Sequence, residues 1–185
     1  MYQWGRKYGQ GNPDSYNVQI IEGPVTLNEG QSSDNADCFF KSNSTENNFD
    51  WQSDPDSQLW NIGTIEEPIK TEYDPCPSGW RVPTGVELKD LLKNYSSYPV
   101  YVNAVMGRWF SGSSTYSESV ARVFLPMAGY ISAWSGYSYM NQNLGTYWSS
   151  SADENSASCW EFSTSAPSYV VGIRADGKSI RCVKE

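Results

Sequence analysis

The sequence YDPCPSGWRVPTGVELKDLLKNY, residues 73–95, predicts an extended segment followed by a helix. The prolines at positions 75, 77 and 83 cannot continue a helix, so the segment before Thr84 is expected to be extended and rigid. Thr84 and Glu87 have the three-residue offset of a capping box, which predicts that the helix begins after Thr84. One apolar stripe then follows at helical spacing and is expected to face a core. Its members are Leu88, Leu91, Leu92 and Tyr95.

Short strands are predicted on the C-terminal side of this helix, from β-branched and aromatic runs and from alternation of apolar and polar residues. The candidate strands are residues 120–125, 146–149 and 158–163. Asp176 and Gly177 favour a type I′ turn. They predict a closing antiparallel hairpin between residues 169–174 and 178–183. A helix followed by an antiparallel sheet gives an α+β domain.

The first third of the chain is rich in polar and turn-forming residues, and only short strands are predicted there. Side chains at positions 16, 18 and 20 alternate as one face of a strand. Trp51 and Trp60 flank a hydrophilic loop, and their rings are expected to attach this loop to the core.

The chain is long enough for one well-filled domain, and residues 1–185 are predicted to form a single domain. Its 21 acidic and 13 basic residues give a formal net charge of −8, which repels phosphate backbones and anionic lipid headgroups. A nucleic-acid partner is therefore not expected. No stretch approaches 18 consecutive apolar residues, so insertion into a membrane is not expected either.

The chain contains no histidine, which removes the usual general base of Ser and Cys triads and the commonest zinc ligand. Adjacent carboxylates occur at positions 66–67 and 153–154, but neighbours in a strand point to opposite faces and do not form a glycosidase pair. Acidic side chains at positions 50, 54 and 56 lack the DxDxDG pattern of a calcium loop, so they are expected to be solvated. Catalytic residues, a metal site and a cofactor are therefore not predicted, and calcium is left open.

Aromatic residues make up 15% of the chain, with 8 Trp and 13 Tyr beside many Ser, Asn and Gly residues. Such a mixture is typical of recognition surfaces, because Tyr and Trp give large contact areas at low entropy cost. Trp134, Tyr137 and Tyr139 lie among small polar residues without core-like periodicity, and a ligand-binding face is predicted around them. The alternative is that their rings pack under a long loop. The polar residues expected on the same face are Asn141, Asn143, Asp153, Glu154, Asn155 and Glu161.

The four cysteines, at positions 38, 76, 159 and 182, are too widely spaced for a CxxC metal or redox site. An even number suits disulfides, and the residues alone allow three pairings. A bridge that closes a loop of roughly 100 residues stabilises by about 4 to 5 kcal/mol in the chain-entropy model. Four reduced, buried thiols are the alternative.

Five motifs together resemble one known family. They are YQWGRK at residues 2–7, YDPCPSGWRVPT at 73–84, LPMAGY at 125–130, GTYWSSS at 145–151 and GKSIRCVKE at 177–185. In this order they resemble the Fibrobacter succinogenes major paralogous domain family, bacterial surface and secreted proteins common in the Bacteroidetes. The resemblance implies an α+β domain with a variant of the C-type lectin-like fold, built from short antiparallel strands, one or two helices and long loops. It also implies that the N- and C-terminal strands pair and that the ligand surface lies in the C-terminal half.

The resemblance implies that Cys76 forms a disulfide with Cys182. Cys38 and Cys159 match no motif of the family. Cys159 is assigned to the polar face of its predicted strand, where an exposed thiol is a liability in an oxidising compartment. A second bridge between Cys38 and Cys159 is therefore expected.

The resemblance further implies a secreted or cell-surface location and a longer parent protein, such as a lipoprotein or a pilus-tip adhesin. Some similar proteins are targets of diversity-generating retroelements, and the corresponding displayed segment here is residues 145–174. The predicted function is extracellular ligand binding or adhesion without catalysis, with a glycan or a protein as the ligand. Two alternatives stay open: a structural subunit or spacer of a surface fibre, and an enzyme of the formylglycine-generating or glycosidase type.

Overall fold

The computed structural model describes residues 1–10, 18–42, 49–111, 117–139, 142–154 and 156–185. These residues form a strand-rich α+β structure with two short α-helices, as the sequence predicts at this coarse level. Helix α1 spans Leu27–Gly30, a 3₁₀ helix spans Ser33–Asn35, and α2 spans Gly85–Leu92. The strands are β1 Tyr2–Gln3, β2 Gln19–Glu22, β3 Cys38–Lys41, β4 Trp80–Arg81, β5 Asn94–Tyr95, β6 Val100–Val102, β7 Val105–Ser111, β8 Val123–Pro126, β9 Tyr130–Ile131, β10 Ser138–Tyr139, β11 Gly145–Ala152, β12 Ala157–Phe162, β13 Ser168–Gly172, β14 Gly177–Lys178 and β15 Val183–Lys184.

Helix α2 begins where its sequence predicts. The Thr84 hydroxyl accepts a hydrogen bond from the Glu87 main-chain nitrogen, and the Glu87 carboxylate accepts one from the Thr84 nitrogen at 2.9 Å. Leu88 and Leu92 are buried, whereas Tyr95 lies beyond the helix in β5. The predicted helix is confirmed, and the last member of its apolar stripe reaches the same core from a strand.

Strands β11, β12 and β13 form an antiparallel sheet that separates two hydrophobic cores. Neighbouring residues of β12 point to opposite faces, so Cys159 lies in one core and Trp160 in the other. The largest side chains of the first core, named here the Trp-rich core, are Trp4, Trp51, Trp60 and Trp148. The second core contains Leu88, Leu92, Phe110 and Phe162. The burial of Trp51 and Trp60 confirms that they attach the loop between them to the core.

The two ends of the chain meet in a second sheet. Strand β1 pairs with β14, with Tyr2 opposite Lys178, and β14 also pairs with β9. A disulfide joins Cys76 to Cys182, and β15, which follows Cys182, pairs with β4. The Cys76–Cys182 bridge that the resemblance implies is therefore present, whereas β1 pairs with the penultimate strand β14 and not with the last strand, β15.

The hairpin predicted at Asp176 and Gly177 does not form. Strand β13 ends at Gly172 and pairs with β12, whereas β14 pairs with β1 and β9. The Asp176 carboxylate accepts a hydrogen bond from the Ala133 nitrogen at 2.9 Å, which anchors this turn to the segment after β9. Long-range pairing here overrides a local turn preference.

The second disulfide predicted between Cys38 and Cys159 is wrong, because both residues are free thiols. Cys159 does not lie on a polar face: it is fully buried in the Trp-rich core, since both faces of β12 are covered. The Cys38 sulfur lies 3.7 Å from the Asn35 side-chain oxygen and 3.9 Å from that of Gln19. Buried free cysteines of this kind behave as small hydrophobic residues.

Asp50 is not solvated, in contrast to the prediction for the acidic loop. It is 3% exposed, and its carboxylate pairs with the Arg174 guanidinium at 3.2 Å. Asp54 and Asp56 are exposed, as predicted. Within the described ranges, no group of three or more Cys, Asp or Glu side chains is arranged to hold a metal ion.

The other predicted strands are present with shifted bounds. Strand β8 begins at Val123 instead of residue 120, and β11 extends from Gly145 to Ala152. Position 16 of the first predicted strand lies outside the described residues, and β2 begins at Gln19. Of the helices that the structure describes, none is long and apolar enough to span a membrane.

Candidate functional site

A tight hairpin carries the three aromatic residues predicted to bind a ligand. Strands β9 and β10 pair antiparallel, with Tyr130 opposite Tyr139. Two main-chain hydrogen bonds close the turn between them, from Ser132 N to Tyr137 O at 3.0 Å and from Gly136 N to Ser132 O at 2.8 Å. The turn therefore has a defined conformation.

Gly136 holds this turn against the N-terminal part of the chain. Its φ of +72° lies in the left-handed region that favours glycine. A Cβ atom at this position would lie 2.8 Å from Cδ1 of Ile20 in β2. The hairpin is thus seated on a neighbouring strand and does not project freely into solvent.

The rings of Trp134, Tyr137 and Tyr139, named here the hairpin patch, are 61%, 63% and 55% exposed. Two of them are supported at one side. Tyr139 packs against Tyr130 with ring centroids 5.4 Å apart, and Trp134 packs against Phe49 with centroids 5.9 Å apart. None of the three rings is buried, although Trp134 contacts Phe49 of the polar loop before Trp51.

A buried lysine lies behind the hairpin patch and links it to Glu161. The Lys178 ammonium is 4.8 Å from the centre of the Tyr130 ring and 5.1 Å from that of Trp148. It also forms ion pairs with Asp176 at 3.4 Å and with Glu161 at 3.7 Å. Burial by itself lowers the pKa of the Lys178 ammonium, but the ionisable groups around it outweigh burial and raise this pKa. Lys178 is therefore charged at neutral pH and holds both Glu161 and Tyr130 in position.

Asp153 and Glu154 are not brought to the hairpin patch. They follow the end of β11, whereas Glu161 pairs with Thr146 near the start of that strand. The strand length between Thr146 and Asp153 is about 20 Å. The Asp153 carboxylate accepts hydrogen bonds from the nitrogen and the hydroxyl of Ser156, both at 2.8 Å. Its main-chain oxygen accepts a further bond from the Arg174 guanidinium. Asp153 therefore shapes the turn between β11 and β12.

Of the three asparagines predicted on the face, Asn141 and Asn155 lie outside the described residues. Asn143 is exposed on the connection that leads from β10 to β11. This connection is attached to the body by a hydrogen bond from Gln142 N to Met127 O at 2.8 Å. Two described polar members of the predicted face thus lie near the hairpin patch. Glu161 is linked to it through Lys178 and Tyr130. Asn143 lies just after the hairpin in the chain.

A groove that the sequence does not predict lies between helix α2 and strands β12 and β13, and it is named here the α2 groove. Its volume is about 470 Å³. The residues that line it are Ile65, Gly85, Val86, Lys89, Ser151, Ser158, Trp160 and Tyr169. The pairing of Trp160 with Tyr169 is not predicted from the sequence. The turn signal at Asp176 and Gly177 predicts instead that β13 pairs with residues 178–183. The only signal available was the apolar alternation of Tyr169 and Val171.

Three further buried ionisable groups, one carboxylate and two thiols, have pKa values raised by burial. The Asp74 carboxylate accepts hydrogen bonds from Cys76 N and Val82 N, both at 2.8 Å, and burial raises its pKa. Burial also raises the pKa of the Cys38 thiol, and that of the Cys159 thiol to about 12. Both thiols are therefore protonated at neutral pH, the form in which cysteine is a poor nucleophile.

Comparisons of the chain with protein-family models, with curated protein sequences and with solved structures find no match. The resemblance to the Fibrobacter succinogenes major paralogous domain family stays a prediction that rests on the five sequence motifs. The C-type lectin-like fold likewise stays a prediction beyond the α+β class.

Proposed function

We propose that this chain is a non-enzymatic, extracellular ligand-binding or adhesion module that holds its ligand on the hairpin patch. The observation that carries this proposal is that three large aromatic side chains on one fixed hairpin are each more than half exposed. Clusters of exposed apolar surface typically mark interaction sites. The ligand is a glycan or a protein, because flat ring faces stack on sugar rings and also fill the pockets of protein hot spots.

The covalent structure and charge of the chain support this proposal. The Cys76–Cys182 disulfide suits an oxidising, extracellular compartment. The net charge of −8 disfavours nucleic acid and anionic lipid as partners. The proposal includes membership of the Fibrobacter succinogenes major paralogous domain family, the C-type lectin-like fold and a place in a longer surface protein.

The proposal is tested with a glycan and protein array, probed by the wild-type chain and by the variant Tyr137→Ala/Tyr139→Ala, with and without EDTA. We expect specific hits whose affinity falls at least about tenfold in the variant, because aromatic anchors carry a large share of binding energy. Sensitivity of the hits to EDTA would add a metal ion to the site.

The matched control is Tyr98→Ala/Tyr101→Ala. These two tyrosines are 77% and 62% exposed, and Tyr101 belongs to a different sheet from the hairpin. The control variant should keep the hits. Hits that survive in both variants, or disappear from both, would contradict the proposal.

A second candidate function is that of a spacer or subunit in a surface fibre. It is favoured by β13, an outer strand of its sheet within the described chain, which exposes Tyr169 and Val171. An open strand edge of this kind can pair with another chain. A blank array, together with concentration-dependent association that Val171→Lys abolishes, would favour this second function.

A further inference from the structure

The α2 groove has apolar walls that form a corner. The Trp160 and Tyr169 rings meet at an interplanar angle of 73°, with centroids 6.3 Å apart. Ile65 and Val86, each 50% exposed, complete the walls. The groove volume of about 470 Å³ lies within the range of roughly 300 to 1,000 Å³ that is usual for ligand sites. This shape suits a compact ring that packs against aromatic and aliphatic carbon atoms.

The hydroxyl groups of the α2 groove are available as hydrogen-bond donors. Ser151 Oγ accepts a hydrogen bond from Gly85 N at 2.9 Å, which leaves the Ser151 hydroxyl proton to donate. The hydroxyl oxygens of Ser158 and Tyr169 lie 2.9 Å apart. Only one proton is used between them, so the other can be donated to a ligand.

The Trp160 ring lines the α2 groove, but its N–H is not accessible from it. Its indole Nε1 is buried and finds no hydrogen-bond partner in the described part of the chain. Buried donors are nearly always paired. The four indoles that are completely buried, those of Trp4, Trp51, Trp60 and Trp148, all donate to main-chain carbonyls. Trp160 is the exception among the buried indoles, and it offers a ligand in the α2 groove its ring but not its buried N–H.

The α2 groove is lined by one cationic side chain, although the chain as a whole carries a net charge of −8. Among the described residues that line it, Lys89 alone is charged, and none of them bears a carboxylate. The N-terminus of α2, at Gly85, also lines the groove, and the Glu87 carboxylate in the first turn partly balances its partial positive charge. The groove therefore offers a cation and several donors, a set that is complementary to an anion.

From this combination we infer that the α2 groove is a second binding site, which takes a sugar acid of the uronic-acid type. The carboxylate pairs with Lys89 of α2, and the six-membered ring packs into the corner of Trp160 and Tyr169. A neutral sugar leaves Lys89 without a partner, and an inorganic anion leaves the apolar walls uncovered. The inference goes beyond the proposed function, because the site uses none of the residues of the hairpin patch.

The test measures the binding of galacturonate and glucuronate oligosaccharides, and of their methyl esters, by isothermal titration calorimetry. We expect the acids to bind at least about tenfold more tightly than the esters, which lack the charge. Lys89→Gln should remove this preference. Lys93→Gln makes the same charge change on an exposed lysine of the helix end that does not line the groove, and it should bind as the wild type does.

One further variant separates this inference from the proposed function. Tyr137→Ala/Tyr139→Ala should leave the binding of the acids unchanged. Equal binding of acids and esters, an unchanged preference in Lys89→Gln, or no binding of any of these probes would overturn the inference.

Discussion

The Trp-rich core and the hairpin patch contain the same kinds of side chain in opposite environments. In the core, each of the four fully buried indoles donates its N–H to a main-chain carbonyl, at distances between 2.6 and 3.2 Å. In the hairpin patch, three rings are more than half exposed, and only two have a ring neighbour among the described residues. The number of aromatic residues therefore does not distinguish core rings from surface rings. Their burial and the hydrogen-bond partner of each indole N–H do.

The partners of the buried indoles explain what the Trp-rich core does. Trp4 donates to Ser149 in the central sheet, and Trp148 donates to the carbonyl of Tyr2. These reciprocal bonds join the first residues of the chain to β11, beside the pairing of β1 with β14. The core rings thus join the N-terminal residues to the central sheet, while the patch rings take no part in this connection.

The largest effect is expected for Trp4→Ala. This change opens a cavity in the Trp-rich core and leaves the Ser149 carbonyl without its indole donor, so the free energy of unfolding should fall by about 3 to 5 kcal/mol. Trp134→Ala removes the same side chain from the surface and should change this free energy by less than about 0.5 kcal/mol. Urea unfolding of the two variants measures both values. Similar losses in both would show that the hairpin patch is part of the core.

A comparable loss is expected when the buried ion pair beside the core is broken. Arg174 lies over the Trp4 ring at 4.8 Å and pairs with Asp50, and both charged residues are almost fully buried. Arg174→Met leaves the Asp50 carboxylate buried without its cation and should lower the free energy of unfolding by about 3 to 5 kcal/mol. The double variant Asp50→Leu/Arg174→Met should lose less than the single variant, as denaturant unfolding would show. Strictly additive losses would mean that the two residues do not act as a pair.

Local signals in the sequence predict the elements of this fold better than their partners. The capping box at Thr84 and Glu87 is a short-range pattern, and it places the start of α2 correctly. The turn signal at Asp176 and Gly177 is equally local, but contacts with β1, β9 and Ala133 determine its outcome. Such contacts join residues more than 40 positions apart, and no pattern along the chain reports them.

The candidate site was predictable where it is continuous in the chain. The rings at 134, 137 and 139 belong to one hairpin, so their sequence spacing indicates a shared surface. Asp153 and Glu161 both belong to the β11–β12 hairpin, but they lie at its opposite ends. Asp153 is in the turn, and Glu161 is beside the first residues of β11. The environment of Cys159 was not predictable either, because a second layer covers the face of β12 that its sequence marks as polar.

The buried thiol of the core should make the stability depend on alkaline pH. Burial raises the pKa of Cys159 to about 12 in the folded chain from an ordinary value of 9.0. The unfolded thiol therefore loses its proton first, and stability is lost as the pH rises above 9, by on the order of 1 kcal/mol at pH 10. Cys159→Ala should reduce this loss, as urea unfolding at pH 8 and pH 10 would measure. An identical pH dependence in the variant would contradict the assignment.

A small effect on stability is expected for Tyr137→Ala/Tyr139→Ala. Both rings are more than half exposed, so their removal should change the free energy of unfolding by less than about 1 kcal/mol in total. Urea unfolding beside Tyr98→Ala/Tyr101→Ala gives the comparison at matched exposure. A loss several times greater than in that control would assign the hairpin tyrosines to packing.

The central claim is that the hairpin patch is the surface covered by ligand. Oxidative footprinting tests this claim most directly. The chain is labelled alone and in complex with the strongest array ligand, and mass spectrometry then measures the labelling of each residue. Labelling of Trp134, Tyr137 and Tyr139 should fall severalfold when the ligand is bound, while labelling of Tyr98 and Tyr101 stays constant. Unchanged labelling of the hairpin in a saturated complex would contradict the account.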